Sequence, residues 1–265
     1  MNKFYENIGI YTLNIISELW QILLLFGQTL YWIFIGPFKK KNIPVDSVLY
    51  QMVFMGIQSL IIVFFVMLFT GIVLAMQGAP QLAKFGAVMY ISSFVGVSIV
   101  RELGPVLTAL VIAGRIGAAI TAEIGSMKVN EQIEALSVMA INPVRFLVVP
   151  RFLSLIIMLP CLTLLGNIIG MIGGFLIGIT NLNINPYLYI DITIKFLTLK
   201  DIYTGIFKSF IFSILIVLVA CYKGLTTEGG AEGVGRATTV SVVTSFILII
   251  LADCILTGIF YFAKI

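Results

Sequence analysis

The chain has 265 residues, 60% of them hydrophobic and only 11% charged, with no histidine and a formal net charge of +4. A soluble domain of this size carries about 25% charged residues, so this composition, with a mean hydropathy of +1.12, places the chain in a bilayer. The charge is too small and too dispersed for nucleic-acid binding, and the missing histidine excludes His-based metal sites and Ser-His-Asp catalysis. Cys161, Cys221 and Cys254 are odd in number and lack CxxC spacing, so they indicate neither a disulfide framework nor a zinc site.

Residues 8–36 are apolar and aromatic but carry Glu18, Gln21 and Gln28 beside Trp20, Tyr31 and Trp32, which suits a helix lying in the membrane interface. They lack the small-residue cleavage site of a signal peptide, and no Arg- and Ser-rich transit peptide is present, so no removable leader is expected. Gly36, Pro37 and the run Lys39, Lys40, Lys41 end the segment at headgroup level. A spanning helix needs about 20 mostly apolar residues. Segments 52–76, 88–122, 146–180, 204–222 and 238–262 qualify. The expected fold is an all-α integral membrane protein, one domain over 1–265, with five transmembrane helices and an N-terminal interfacial helix. With the N-terminus inside, ten Lys and Arg fall on the cytoplasmic side and five on the other, which puts the polar segment 123–143 in the cytoplasm. If 8–36 crossed instead, the later loops would keep their sides.

The second segment is interrupted by "SIVRELGPVLTAL", which sets Arg101 and Glu102 at membrane depth ahead of Gly104-Pro105. A charge there costs about 2.5–3.5 kcal/mol on insertion scales. Neighbouring helical residues point about 100° apart, so each of the two needs its own partner or a polar cavity. Structural ion pairing and a polar route or headgroup site are both open readings. Asp253, the acid buried in the last span, is an expected partner for Arg101. Proline at 105 removes a backbone hydrogen bond and is expected to kink the helix.

Next, "GRIGAAITAEIG" repeats small residues every four positions, as Gly114, Ala118, Ala122 and as Gly117, Thr121, Gly125. Such rows let helix backbones meet, either within the chain or across a dimer seam. "VNEQIEALSVMAINP" then places Val129, Ile133, Leu136 and Ala140 on one helical face and Asn130, Glu131, Glu134 and Ser137 on the other, with Asn142-Pro143 as the stop. Its acidic face favours a protein partner over lipid headgroups. Residues 181–203 read as a short helix or hairpin over the opposite membrane face. "TTEGGAEGVGRATT", from Thr226 to Thr239, reads as a glycine-rich cytoplasmic loop. It is not a P-loop, because Gly235 is followed by Arg236 and Ala237 and no strand precedes it.

The long run "SIVRELGPVLTALVIAGRIGAAITAEIGSMKVNEQIEALSVMAINPVRFLVVPR", with the later "GGAEGVGRATTVSVV" and "ADCILT", resembles the MlaE/YrbE family of Mla-type ABC transporter permeases over about residues 50–262. That resemblance implies a homodimeric permease with no cofactor and no activity of its own as an enzyme. An ABC ATPase subunit would act on the cytoplasmic side, and an MCE-domain lipid-binding protein on the other. It implies membrane lipids as cargo, phospholipids in most relatives and sterols in some. Its location would be a bacterial inner membrane or a chloroplast (plastid) inner envelope membrane. Residues 126–142 would couple to the ATPase, with Glu131, Gln132, Glu134, Leu136 and Met139 as candidate contacts. Arg101, Glu102 and Asp253 would serve substrate binding and translocation, and Gly114, Gly117, Ala118 and Ala122 dimer or helix packing. Segment 181–203 follows no family pattern. An ion-coupled secondary transporter using Arg101, Glu102 and Asp253 is the competing reading, and a purely structural assembly factor a third. The absence of inverted halves and the single acidic cytoplasmic helix weigh against both.

Overall fold

The computed structural model describes the backbone of residues 2–36 and 45–262, and the side chains of those residues apart from 2–12, 14 and 15. Lys39, Lys40, Lys41 and Lys264, counted above among the flanking cations, lie outside the described residues. Every regular element among the described residues is helical: α1 (Asn2–Phe34), α2 (Val45–Met55), α3 (Leu60–Ala83), α4 (Ile91–Ser98), α5 (Gly104–Ile112), α6 (Ala118–Val129), α7 (Gln132–Val138), α8 (Val149–Thr180), α9 (Pro186–Phe196), α10 (Leu199–Leu225) and α11 (Gly230–Phe262). Across short junctions these form five helices long and apolar enough to cross a membrane: Val45–Ala83, Val88–Val129, Val144–Thr180, Leu199–Leu225 and Gly230–Phe262. The chain is an all-α, multi-pass membrane protein, as its composition and apolar runs led us to expect.

The spans outrun the apolar segments that announce them. The second covers 42 residues, about 60 Å at 1.5 Å per residue, against a hydrocarbon core of about 30 Å. A helix satisfies its own backbone wherever it lies, so nothing obliges it to stop at the membrane surface. The same reason turns most of the glycine-rich stretch 226–239 into helix: α11 starts at Gly230, and only 226–229 remain as a connector. Gly229 and Gly230 have φ of 90° and 70°, left-handed values that the reversal from α10 into α11 requires.

Two of the spans contain π-helical turns, the second at Ile99–Leu103 and Ala113–Gly117 and the third at Val144–Val148. The first and last of these turns lead into Gly104-Pro105 and Val149-Pro150. A proline ring cannot donate to the carbonyl four residues back and clashes with it. The chain answers by admitting one extra residue, so that Gly104 N–H bonds Ile99 O and Val149 N–H bonds Val144 O. The kink expected at Pro105 is thus a widened turn.

α8 is the central post, packed on α2, α3, α5 and α10. It meets α3 backbone to backbone: a Cβ on Gly71 would overlap the Gly170 carbonyl. That is how membrane helices associate when lipid offers no hydrophobic drive. The row Gly117, Thr121, Gly125 is buried against α10 and α11, with Thr121 Oγ1 3.1 Å from Ala220 O and 2.8 Å from Ser241 Oγ. Gly114, Ala118 and Ala122 are only half-buried. α1 packs on α8, α10 and the 144–148 turn through Ile22, Leu25 and Thr29. The Glu18–Lys223 ion pair (2.6 Å) and a hydrogen bond from Tyr222 Oη to Gln21 Oε1 (2.7 Å) hold it there.

Candidate functional site

Two features adjoin the second span: a charged cleft beside the π-turn in its first half, and α7 beyond its far end. The cleft begins with Arg101 and Glu102. As their angular separation requires, they do not pair with each other; each takes a partner from α10. Arg101 donates from Nε to Asp201 Oδ1 at 2.9 Å and also bonds that oxygen through its terminal nitrogen. Glu102 pairs with Lys208. Lys208 further donates to Thr257 Oγ1 at 2.7 Å and lies 2.9 Å from Asp253 Oδ1. Two cations therefore meet three carboxylates. Lys208 is 1% exposed and Asp201 3%, whereas Arg101 is 54% exposed. The buried members are locked in place, and the half-exposed Arg101 side chain lines the cleft.

Local sequence explains the placement. Thr198 and Asp201 form a capping box at the start of α10, in which Asp201 Oδ2 accepts from Thr198 N–H at 3.0 Å and lies 2.9 Å from its hydroxyl. This leaves Oδ1 for Arg101. Lys208 follows Asp201 by seven residues, two helical turns, and so lies on the same face of α10. Between them Gly205 lies against the π-turn, where a Cβ would overlap the Val100 carbonyl oxygen. That contact brings α10 close enough for both ion pairs. The cleft is about 280 Å³, and Lys200, Thr204, Phe260 and Tyr261 complete its wall.

The structure corrects one expected pairing: Asp253 faces Lys208, and Arg101 takes Asp201 instead, because the α10 capping box presents that carboxylate directly to the π-turn. Lys208, Asp201 and Thr257 are the residues that sequence reasoning missed. Lys208 and Asp201 stand at the head of the fourth span, close to a segment that carries no motif. Their two-turn spacing at the head of an apolar helix was the available signal. Of the two forms expected for segment 181–203, helix or hairpin, it contains the helix, α9, started by Asn185 Oδ1 accepting from Tyr187 N–H at 2.9 Å. Burial of Tyr189, which seats α9 on α8, pushes its phenol up to about 12.

At the other end, the single helix expected over 126–142 is divided. α6 ends at Val129, Glu131 takes a left-handed φ of 58°, and α7 spans Gln132–Val138. Ile133 and Leu136 pack against the chain's own core. Leu136, expected as a partner contact, therefore faces inward, and of the apolar stripe Ile133 and Leu136 are used within the chain while Ala140 is exposed. Glu131, Gln132 and Glu134 are exposed together with Val138 and Met139, which are 88% and 62% exposed. A hydrogen bond from Lys128 holds the Glu134 carboxyl below its usual range, so it is anionic at neutral pH. Among the described residues no group of three His, Cys, Asp or Glu could hold a metal ion.

Comparison with known proteins agrees with this architecture. Residues 48–259 match the family model described as Permease MlaE. A probable ABC transporter permease protein of Rickettsia typhi is 41% identical, covering 87% of this chain and 89% of that protein. The intermembrane phospholipid transport system permease protein MlaE of Haemophilus influenzae is 36% identical, covering 89% of this chain and 90% of its own length. The chloroplastic protein TRIGALACTOSYLDIACYLGLYCEROL 1 of Arabidopsis thaliana is 33% identical over 84% of this chain and 63% of the plant protein. A family match across most of the chain, with relatives 33–41% identical and a five-span helical fold, makes this protein a member of the MlaE permease family, the membrane component of an ABC transporter.

Proposed function

We propose that the chain is the lipid-translocating subunit of an ABC transporter, working as a homodimer. It moves phospholipid between its membrane and an MCE-type carrier, driven by ATP hydrolysed on a separate subunit. The membrane is a bacterial inner membrane or a plastid inner envelope, with α7 on the side of the ATPase. One observation carries the reading: a single 42-residue span leads from a half-exposed arginine in a polar cleft in its first half to an exposed acidic helix beyond its last residue. The names of the Haemophilus and Arabidopsis relatives support lipid as cargo. Glu131, Gln132, Glu134, Val138 and Met139 supply the ATPase contact, and Arg101 with Glu102 and Asp253 the translocation site. The half-buried row Gly114, Ala118 and Ala122 supplies the seam with the second copy. Two permease conformations must differ in their affinity for the ATPase, since equal affinity would shift nothing.

The test is mild-detergent purification from the native membrane. An ATPase subunit copurifies, and the Glu131→Lys, Glu134→Lys double variant loses it while folding normally. Recovery of no ATPase overturns the reading. The buried Lys208 cluster favours one other reading, ion-coupled transport through Glu102 and Asp253, which predicts lipid movement without ATP.

A further inference from the structure

Beside the charged cleft, α10 and α11 leave an apolar groove of about 500 Å³, lined by Tyr203, Ile206, Phe207 and Phe210 of α10 and by Phe260 of α11. This is within the size range of sites that hold a small amphiphile. Tyr203, Phe207 and Phe210 recur at helical spacing on one face and are 70%, 48% and 40% exposed. Phe207 and Phe260 meet edge to face with ring centroids 5.9 Å apart. The groove and the cleft adjoin, with Lys200, Thr204 and Phe260 bordering both. At their junction stand two cations. Lys200 is exposed and makes no ion pair among the described residues, and Arg101 brings a half-exposed side chain whose second terminal nitrogen is outside its pair with Asp201.

Lys and Tyr near the end of a spanning helix mark the headgroup level, with apolar rings below it. A charged mouth opening into an aromatic trough has the shape and polarity of one anionic headgroup above one acyl chain. We propose that the α10–α11 groove is a lateral docking site for a bilayer phospholipid. The phosphate sits on Lys200 and Arg101, and an acyl chain lies along Tyr203, Phe207 and Phe210, so that lipid reaches the cleft sideways from the membrane. This rests on the proposed lipid cargo but adds an entry face and the residues that form it. Arg101 can take a phosphate without surrendering Asp201, because its second terminal nitrogen is not used in that pair. Planar bidentate donation is what suits arginine to phosphate.

The test uses the full chain with Trp20 and Trp32 replaced by Phe, carrying Phe207→Trp or, separately, Phe210→Trp. Each is reconstituted in phosphatidylcholine vesicles with increasing phosphatidylglycerol brominated on its acyl chains. A docking site gives quenching that saturates well below the bulk fraction of brominated lipid. Adding Arg101→Gln and Lys200→Gln then shifts that saturation upward by about tenfold, the loss of roughly one charge-assisted bond. Quenching that simply follows the bulk fraction, or that ignores Arg101 and Lys200, overturns the proposal. So does no quenching at all, which would mean that protein covers the groove. Copurification of the ATPase, read on the same variants, reports separately on the transporter assignment.

Discussion

At the scale of single residues, Lys208 carries the largest consequence. It is buried at 1% exposure among Glu102, Asp253 and Thr257. Removing one member of such a cluster strands the others without counter-charge, at a cost of about 3–5 kcal/mol. Lys208→Met should therefore lower the thermal stability of the purified protein sharply. Adding Glu102→Gln and Asp253→Asn to it should recover most of the loss, since uncharged neighbours need no cation. If the triple variant is no more stable than the single one, the cluster is not held by charge. Tyr189 gives a second residue-level prediction. Its phenol ionises near 10 when unfolded and is raised to about 12 by burial, so the neutral ring favours the folded state. That contribution is complete below pH 10 and disappears as pH rises toward 12. The α9 contact should loosen across that interval, and the alkaline transition should vanish in Tyr189→Phe. Far-ultraviolet and phenolate absorbance titrations read both.

At the scale of elements, the close approach of α10 to the π-turn at Ile99–Leu103 decides whether the cleft exists. Gly205→Ala would press a methyl group into the Val100 carbonyl, and α10 must move away. Overpacking of this kind costs about 1–3 kcal/mol. It should also separate Arg101 from Asp201, raising arginine reactivity toward a guanidinium-modifying reagent. Gly258→Ala, where a Cβ meets nothing within 4 Å, is the control and should change neither. The number of spans was legible because twenty apolar residues leave little alternative to a helix. So was the need of Arg101 and Glu102 for separate partners, which follows from helical geometry alone. The identity of those partners was not, because it depends on where Gly205 lets two backbones meet. The division at Glu131 was also hidden. The pattern Val129, Ile133, Leu136, Ala140 is the same whether the helix runs through or restarts one residue later, and periodicity cannot register a single left-handed residue.

At the scale of the whole molecule, the contacts of α1 bear on how it lies against the five spans. Glu18 and Gln21 bond Lys223 and Tyr222 at the end of α10, Phe26 meets the Phe152 ring at 6.0 Å, and Trp32 lies under the Arg145 guanidinium at 5.9 Å. All four partners belong to the end of the bundle that bears α7. A helix of 33 residues is about 50 Å long. Had it run alongside the spans, its middle and its end would have met partners at different depths. Fifteen residues of contact confined to one level are what a helix across the membrane surface produces, with Trp20, Leu23 and Leu24 turned outward as its lipid-facing side. In sealed vesicles of uniform orientation, with the native cysteines replaced, Leu13→Cys, Phe34→Cys and Met139→Cys should all react with a membrane-impermeant thiol reagent from the same side. Phe196→Cys should react only from the other. If Leu13→Cys and Phe34→Cys label from opposite faces, α1 crosses the bilayer and the protein has six spans. Same-side labelling together with Met139→Cys would place the Glu18–Lys223 clamp beside α7. In that position, anything that moves α7 must either carry α1 with it or break the clamp.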